Sequence, residues 1–383
     1  MPEPTDADVF VEEYHRQIGR KLALMALLVV GIIILAGLFA VSSYSSISIS
    51  QAYQIIIDHL SGVTYEQRSQ SWWADYYIWN TAMPRVCIGM VAGASLAVAG
   101  AIMQSLMNNP LADPYSTGIS SGACLGAVSS IIMGISYSTV AGEMGIVTNA
   151  FIGSMVPAVI IILVSKRVGP SPATLILLGT AISYFFNAMV TYIMISTDAD
   201  TLQDAYLWQV GSLSGLGWSD LPLMAVVTVV CAIISLTFAR QLNVLSIGDK
   251  GAKSLGVDVD TFRVICLILV AVMTAAIISY TGIIGFVGLV APHMVRLVIG
   301  SDNRFVIPMS MLAGAFLLVL ADYLAMTVSG VSDIPVGVIM SMIGSPVFLV
   351  LIIWQRKSYG GVYRWIPTSA RSTCACAGGT CCS

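Results

Sequence analysis

The sequence predicts an all-α integral membrane protein of about ten transmembrane helices with both termini in the cytoplasm. Three observations carry that prediction. The 383 residues are 57% hydrophobic and 10% charged, with a mean hydropathy of +0.87, whereas soluble domains carry about 25% charged residues. Charge-free runs long enough to cross a bilayer, about 20 residues each, recur from end to end. Lys and Arg then fall almost wholly on one side of the alternating spans. The same composition excludes a soluble enzyme, a disordered chain and a disulfide scaffold. The net charge of −3 offers no basic surface to nucleic acid. A barrel would instead show segments of about 10 residues with alternating polarity.

The first span, 21–41, follows a short polar segment, 1–20, and has no small-residue cleavage site at its end. It reads as a retained helix rather than a signal peptide. Spans at 83–107, 115–135, 146–166, 174–196 and 220–239 are built on charge-free runs separated by short loops. Residues 264–295 carry no charge and admit one long helix or two short ones. Gly282, Gly285 and Gly288 suggest a break after Tyr280, giving spans 262–280 and 283–299. The positive-inside rule supports the break. With ten spans, 15 of the 17 Lys and Arg residues lie inside and only Arg68 and Arg85 outside. Fusing the two spans moves Arg296, Arg304, Arg356 and Lys357 to the outside. The last spans are 306–326 and 334–355, and a tail, 357–383, follows. The organisation expected is a cytoplasmic segment 1–20, a ten-helix membrane domain 21–356, and an unstructured tail.

Two outer loops are rich in aromatic residues. Residues 42–81 contain Trp72, Trp73, Tyr76, Tyr77 and Trp79; residues 197–219 contain Asp198, Asp200, Asp204, Trp208 and Trp218. They read either as an aromatic belt at the headgroup level or as a docking surface for an extracytoplasmic partner. The longest inner loop, 240–261, admits a short helix carrying Ala252, Lys253 and Leu255 between Gly248 and Gly256. Such a helix is either a plain connector or a lever for a soluble partner.

Catalytic chemistry is missing. Gly248, Gly251, Lys253 and Ser254 lack the spacing and the strand context of a phosphate loop, so the chain is not expected to hydrolyse ATP. His15, His59 and His293 are scattered and make no metal-ligand cluster. His293, after Pro292, is expected to be structurally hydrogen-bonded. Cys87, Cys124, Cys231 and Cys266 read as small apolar residues in or beside spans. Cys374, Cys376, Cys381 and Cys382 crowd the tail, where a soft metal or palmitate is the alternative to an unstructured end. Asp322 is the main acid within a span and the candidate for proton coupling. Asp113, Asp220 and Asp333 sit at span ends. Gly89 with Gly93, and Gly118, Gly122 and Gly126, form small-residue steps that let helices approach closely.

Several segments together resemble one family. They are Pro84-Arg85, the run Gly93 to Gln104, Asn109-Pro110-Leu111-Ala112-Asp113-Pro114, Gly118-Ile119-Ser120-Ser121-Gly122-Ala123, and the run Gly285 to Arg296. Ala321-Asp322, Asp333-Ile334-Pro335-Val336-Gly337 and Gly344-Ser345-Pro346-Val347-Phe348 complete them. Over about 20–356 the chain resembles the FecCD family of ABC-importer permeases, which serve iron–siderophore, haem and cobalamin uptake.

The resemblance implies a type II importer permease in a prokaryotic cell membrane, working as a homodimer. It also implies two ABC ATPase subunits below, an extracytoplasmic substrate-binding protein outside, and no cofactor on this chain, since ATP and Mg belong to the ATPase. Segment 240–261 then matches the family's coupling segment, with Gly248, Asp249, Ala252, Leu255 and Gly256 in the pattern. Asn109 and Leu111 resemble a cytoplasmic gate facing Ser171 and Thr174, in a strip, Ser171-Pro172-Ala173-Thr174, more apolar than expected. Arg85 matches a residue that pairs with the binding protein, while Ala82 and Met326 stand where the family often has Arg. The implied cargo is a metal chelate, with ferric siderophore ranked first, cobalamin second, and haem also carried by relatives. A proton-coupled carrier using Asp322 is the reading from another class.

Overall fold

A computed structural model describes residues 6–43, 47–135, 142–329 and 334–362. Among these, every regular element is helical. Asp333 and the tail cysteines Cys374, Cys376, Cys381 and Cys382 lie outside the described residues.

Each of the ten expected spans holds a helix. They are α1 (Asp6–Ser43), α4 (Met83–Leu106), α5 (Ile119–Met133), α6 (Glu143–Val168), α7 (Pro172–Ile195), α9 (Leu221–Thr237), α12 (Val259–Thr281), α13 (Val287–Ile299), α14 (Asn303–Ser329) and α15 (Val336–Val362). Among the described residues six helical runs are long and apolar enough to cross a membrane, or seven if the bent pair after Leu221 counts as one. The helices Ile119–Met133 and Val287–Ile299, and the stretch Val336–Leu351 of α15, are apolar but shorter, 10 to 17 residues each, and do not reach that length.

The break expected after Tyr280 falls one residue later. Gly282, at φ +68°, ends α12, and Phe286, at φ +67°, precedes α13. A Cβ on Gly282 would meet the carbonyl of Trp208, so glycine is required there on two counts.

The outer loops are not loops. Residues 42–81 contain α2 (Ile49–Leu60) and α3 (Gln70–Tyr77), and 197–219 contain α8 (Ala199–Val210). Each begins at a capping side chain. Ser48 and Gln51 form a reciprocal capping box, Ser69 accepts from Trp72 N–H, and Asp198 accepts from Thr201 N–H. A π-helical turn, Ile78–Ala82, joins α3 to α4, so Gln70–Leu106 is one continuous helical run.

Helix α4 is the hub. Twenty of its 24 residues are buried, and it packs against α9, α12, α13 and α14. Glycines permit this. A Cβ on Gly93 would overlap the Gly314 carbonyl of α14, and one on Gly100 would overlap the Gly288 carbonyl of α13. The step in α5 works the same way, with Gly122 and Gly126 against the backbone of α6 at Gly153 and Asn149. Gly89 differs, since its neighbours are the side chains of Leu213 and Val319. Helix α7 is the opposite case: Leu177, Tyr184, Tyr192 and Ile195 are each more than 70% exposed and form an unpartnered apolar face.

Helix α8 packs on α5, while α3 runs into one end of α4 through the π-helical turn, with α2 packed on α3. The other end carries two short helices, α10 (Ala239–Leu245) and α11 (Asp249–Ser254). At about 1.5 Å per residue, the length of α4 separates the two ends by about 36 Å.

Candidate coupling segment and gate

The sequence after α9 cannot continue straight. The chain bends by 58° into α10, then breaks at Gly248, whose φ of +97° only glycine adopts without strain. Helix α11 follows and stops before Gly256, at φ +84°. The single short helix expected between Gly248 and Gly256 is therefore present, and α10 is an addition to it. Ala252 is fully buried in a core shared with Leu242, Leu245, Val259 and Phe262. Ile247 and Leu255 point outward, 65% and 62% exposed, beside the exposed Lys250 and Lys253. The segment thus has an anchored apolar face and a free face of two hydrophobes and two cations.

Asp249 is held by Arg263, near the start of α12. Nη1 donates to Asp249 Oδ2 at 3.1 Å and Nη2 donates to Oδ1 at 2.9 Å. These bonds hold the Asp249 carboxyl below its ordinary range, with the nearby Lys253 charge adding to the effect. Arg263 is itself buried, and Nη1 also donates to the Pro170 carbonyl at 2.8 Å.

The gate strips lie at the same end. Asn109 Oδ1 accepts from Leu111 N–H at 2.9 Å, which fixes the turn, and Leu111 is 46% exposed. The preceding Asn108 sits at φ +48° and donates from Nδ2 to the Leu245 carbonyl of α10 at 3.2 Å. Ser171 caps α7. Its Oγ accepts from Thr174 N–H at 3.2 Å and lies 2.8 Å from Thr174 Oγ1. Among the described residues no hydrogen bond joins Asn109 or Leu111 to Ser171 or Thr174. Ala112 and Leu175, next to the two strips in sequence, both belong to one large hydrophobic core.

A polar network that sequence reading missed anchors α10. Asn243 donates from Nδ2 to Asp302 Oδ1 at 2.7 Å, and its Oδ1 accepts from Asn303 N–H at 2.8 Å. Arg296 donates from Nη2 to Asn303 Oδ1 at 3.0 Å, to Ser105 Oγ at 2.7 Å and to the Ala101 carbonyl at 3.0 Å. Arg304 and Asn243 stabilise the Asp302 carboxylate and lower its pKa to about 2. The one sequence signal was Arg296, which closes the Gly285–Arg296 motif. Its partners on α4, Ser105 and Ala101, are 191 and 195 positions away and cannot be read locally.

Arg85 requires a correction. It was expected to present its charge to an outer partner. It is buried, and its guanidinium makes two 2.8 Å bonds to Asp322 and lies over the Phe39 ring. The end of the bundle that carries α2 and α3 presents aromatic residues instead. Trp73, Tyr76 and Tyr77 are 40 to 49% exposed, and Trp218 Nε1 donates to the Trp79 carbonyl. His59 stacks on Trp79 and bonds Asp75 at 2.7 Å. His293 also departs from expectation. Its ring is buried with its edge towards Phe348, and Nε2 has no partner among the described residues. Among the described residues no group of three His, Cys, Asp or Glu side chains is placed to hold a metal.

Residues 27–354 match the model of the FecCD transport family. The chain is 40% identical over 291 residues to the hemin transport system permease protein of Yersinia pestis, covering 75% of this chain and 86% of that one. It is 38% identical over 280 residues to the cobalamin import system permease protein of Halobacterium salinarum, covering 73% and 74%. The Fe(3+) dicitrate transport system permease protein FecD of Escherichia coli is 35% identical over 281 residues, covering 73% and 86%. Among solved structures, an inward-facing conformation of a provisionally assigned metal-chelate type ABC transporter matches with a TM-score of 0.73 and 27% identity. The match covers 86% of this chain and 99% of that one.

Proposed function

Since the chain belongs to the FecCD transport family, we propose that it forms half of a homodimeric pathway for a metal chelate, crossing the membrane ten times with both termini cytoplasmic. Membership makes it the non-catalytic, multi-pass membrane subunit of a prokaryotic ABC importer. Such a permease works with an ATPase and a binding protein. Ferric siderophore is the first cargo in this reading, with cobalamin and haem as alternatives; relatives named for hemin, cobalamin and ferric citrate fall in one range of identity.

The observation that carries the reading is α11. It is a six-residue helix bounded by two left-handed glycines, anchored through Ala252 and followed by the exposed Leu255. Gly248, Asp249, Ala252, Leu255 and Gly256 are assigned to ATPase coupling, and Asn109, Leu111, Ser171 and Thr174 to the cytoplasmic gate. ATP binding favours one of two states of the pathway, and the ATPase acts only through its better fit to that state. The exposed α7 face suits the dimer seam and the pathway wall. The aromatic surface at Trp73, Tyr76 and Tyr77 suits the binding protein, because clustered rings make good interface anchors. The proton-carrier reading is disfavoured because Asp322 is committed to Arg85.

The test is uptake into lipid vesicles by the permease reconstituted with its ATPase and binding protein. Ferric hydroxamate, haemin and cyanocobalamin serve as probes. Vanadate-sensitive uptake of one probe, dependent on ATP, is expected. Failure to form the complex, with uptake driven by a pH gradient alone, overturns the reading.

A further inference from the structure

The two strips assigned to the gate are hydrogen-bonded to different parts of the coupling segment. The strip around Asn109 and Leu111 is tied to α10, through Asn108 Nδ2 and the Leu245 carbonyl. The strip Ser171–Thr174 is tied to α11, through the Pro170 carbonyl, Arg263 and Asp249. The α10 end is fixed to the bundle by Asn243, Asp302, Asn303 and Arg296. Gly248 separates α10 from α11.

Arg263 is 2% exposed. Its Nε has no partner among the described residues, so its hydrogen bonds run only to Asp249 and Pro170. A planar, permanently charged fork of this kind grips a carboxylate with two donors and keeps a third direction for a carbonyl, which a lysine ammonium on its flexible stem does not reproduce. The grip on Pro170 lies in a dry setting and resists being pulled apart, because a separated carbonyl or guanidinium is left unsatisfied; the Asp249 side chain is 44% exposed, and its grip rests on the two-pronged geometry. The second link between α11 and α12, Lys253 to Asp260, lies in solvent and is screened by salt.

We propose that Arg263 is the positioning residue that carries displacement of α11 to the 170–174 strip, while Asn108 holds the opposite strip on the fixed α10. The gate then opens by relative motion across Gly248. This rests on the reading of α11 as the coupling helix and of the two strips as the gate.

The test uses the full complex with its ATPase in lipid. Spin labels are placed at positions 110 and 173 through encoded non-natural residues. In the wild-type background the label separation should differ between the nucleotide-free and vanadate-trapped states. In Arg263→Met, ATP hydrolysis should continue while most of that shift disappears. A residue that only stabilised the fold would lower the unfolding temperature and leave the shift intact. Asp249→Asn keeps Arg263 and Pro170 in place and loosens the link from its exposed side, so part of the shift should vanish. An undiminished shift in Arg263→Met, or in Asp249→Asn should the first variant fail to fold, overturns the proposal. No shift in the wild type would instead overturn the gate reading on which it stands.

Discussion

Arg85 and Asp322, 237 positions apart in sequence, form a two-pronged ion pair inside the helical bundle. It joins α4 to α14, beside the Phe39 ring of α1. Both side chains are under 10% exposed, so neither charge has bulk water to fall back on. An acid in a membrane span marks ion coupling when it faces a pathway or titrates freely. Here the carboxylate is neutralised by a fixed cation, which makes the pair a cross-brace between helices.

That geometry makes a prediction. Breaking a buried pair by removing one partner costs about 3–5 kcal/mol, because a bare charge stays behind, whereas apolar replacement of both partners is often neutral. Asp322→Asn and Arg85→Met should each lower the unfolding midpoint of the purified protein. Arg85→Met combined with Asp322→Leu should recover most of the loss and restore ATP-driven uptake. A double variant that is stable yet inactive would give Asp322 a direct part in transport.

The glycine contacts of α4 predict a second series. A Cβ on Gly100 overlaps the carbonyl of Gly288, and backbone cannot step aside as a side chain can. Overpacking of this sort costs about 1–3 kcal/mol, and more when no rotamer relieves it. Gly100→Ala should therefore destabilise the protein clearly in a thermal unfolding assay. Gly19→Ala is the control: nothing lies within 4 Å of a Cβ there, and alanine is the better helix former. Equal midpoints for the two variants would refute the close-approach argument.

These residues also mark what the sequence made legible. The helices of the long apolar runs were legible because a charge-free run of bilayer length has few alternatives, and the short helix between Gly248 and Gly256 because two glycines punctuate it. Helices α2, α3 and α8 were not. They are short and mix polar with aromatic residues, and their caps at Ser48, Ser69 and Asp198 sit in stretches that also read as turn. Arg85 was read by resemblance as an outward-facing charge. Its partner 237 positions away leaves no local period to reveal the pairing. The role of Arg263 is not legible in the sequence for the same reason, since its partners lie 14 and 93 positions away.

Asp302 supplies a pH prediction. Hydrogen bonds from Arg304 and Asn243 depress its folded pKa to about 2, below the ordinary 3.8. A depressed carboxylate contributes stability that is fully present above its unfolded pKa and is lost as pH falls through the folded value. The contribution of the Asn243–Asp302 anchor should thus be flat from neutral pH down to about 4 and fade towards about 2. Asp302→Asn should lower the midpoint at neutral pH and reduce the acid-dependent loss below about pH 4. An unchanged acid limb would assign that limb to other carboxylates.

The two hydrophobic positions assigned to coupling, Ala252 in α11 and Leu255 just after it, should respond in opposite ways. Ala252 is fully buried and Leu255 is 62% exposed. An exposed substitution away from caps and ion pairs usually moves stability by less than about 0.5 kcal/mol. A hydrophobic anchor lost from the centre of an interface costs about 2 kcal/mol or more, a fall in affinity of roughly thirtyfold. Leu255→Glu should therefore leave the unfolding midpoint of the isolated permease unchanged and abolish co-purification with the ATPase. Ala252→Leu should lower the midpoint, because the added volume meets the core formed by Leu242, Leu245 and Phe262. If Leu255→Glu instead retained full ATPase binding, the exposed face of the 247–255 segment would not be the docking face, and Leu255 would be an incidental surface residue.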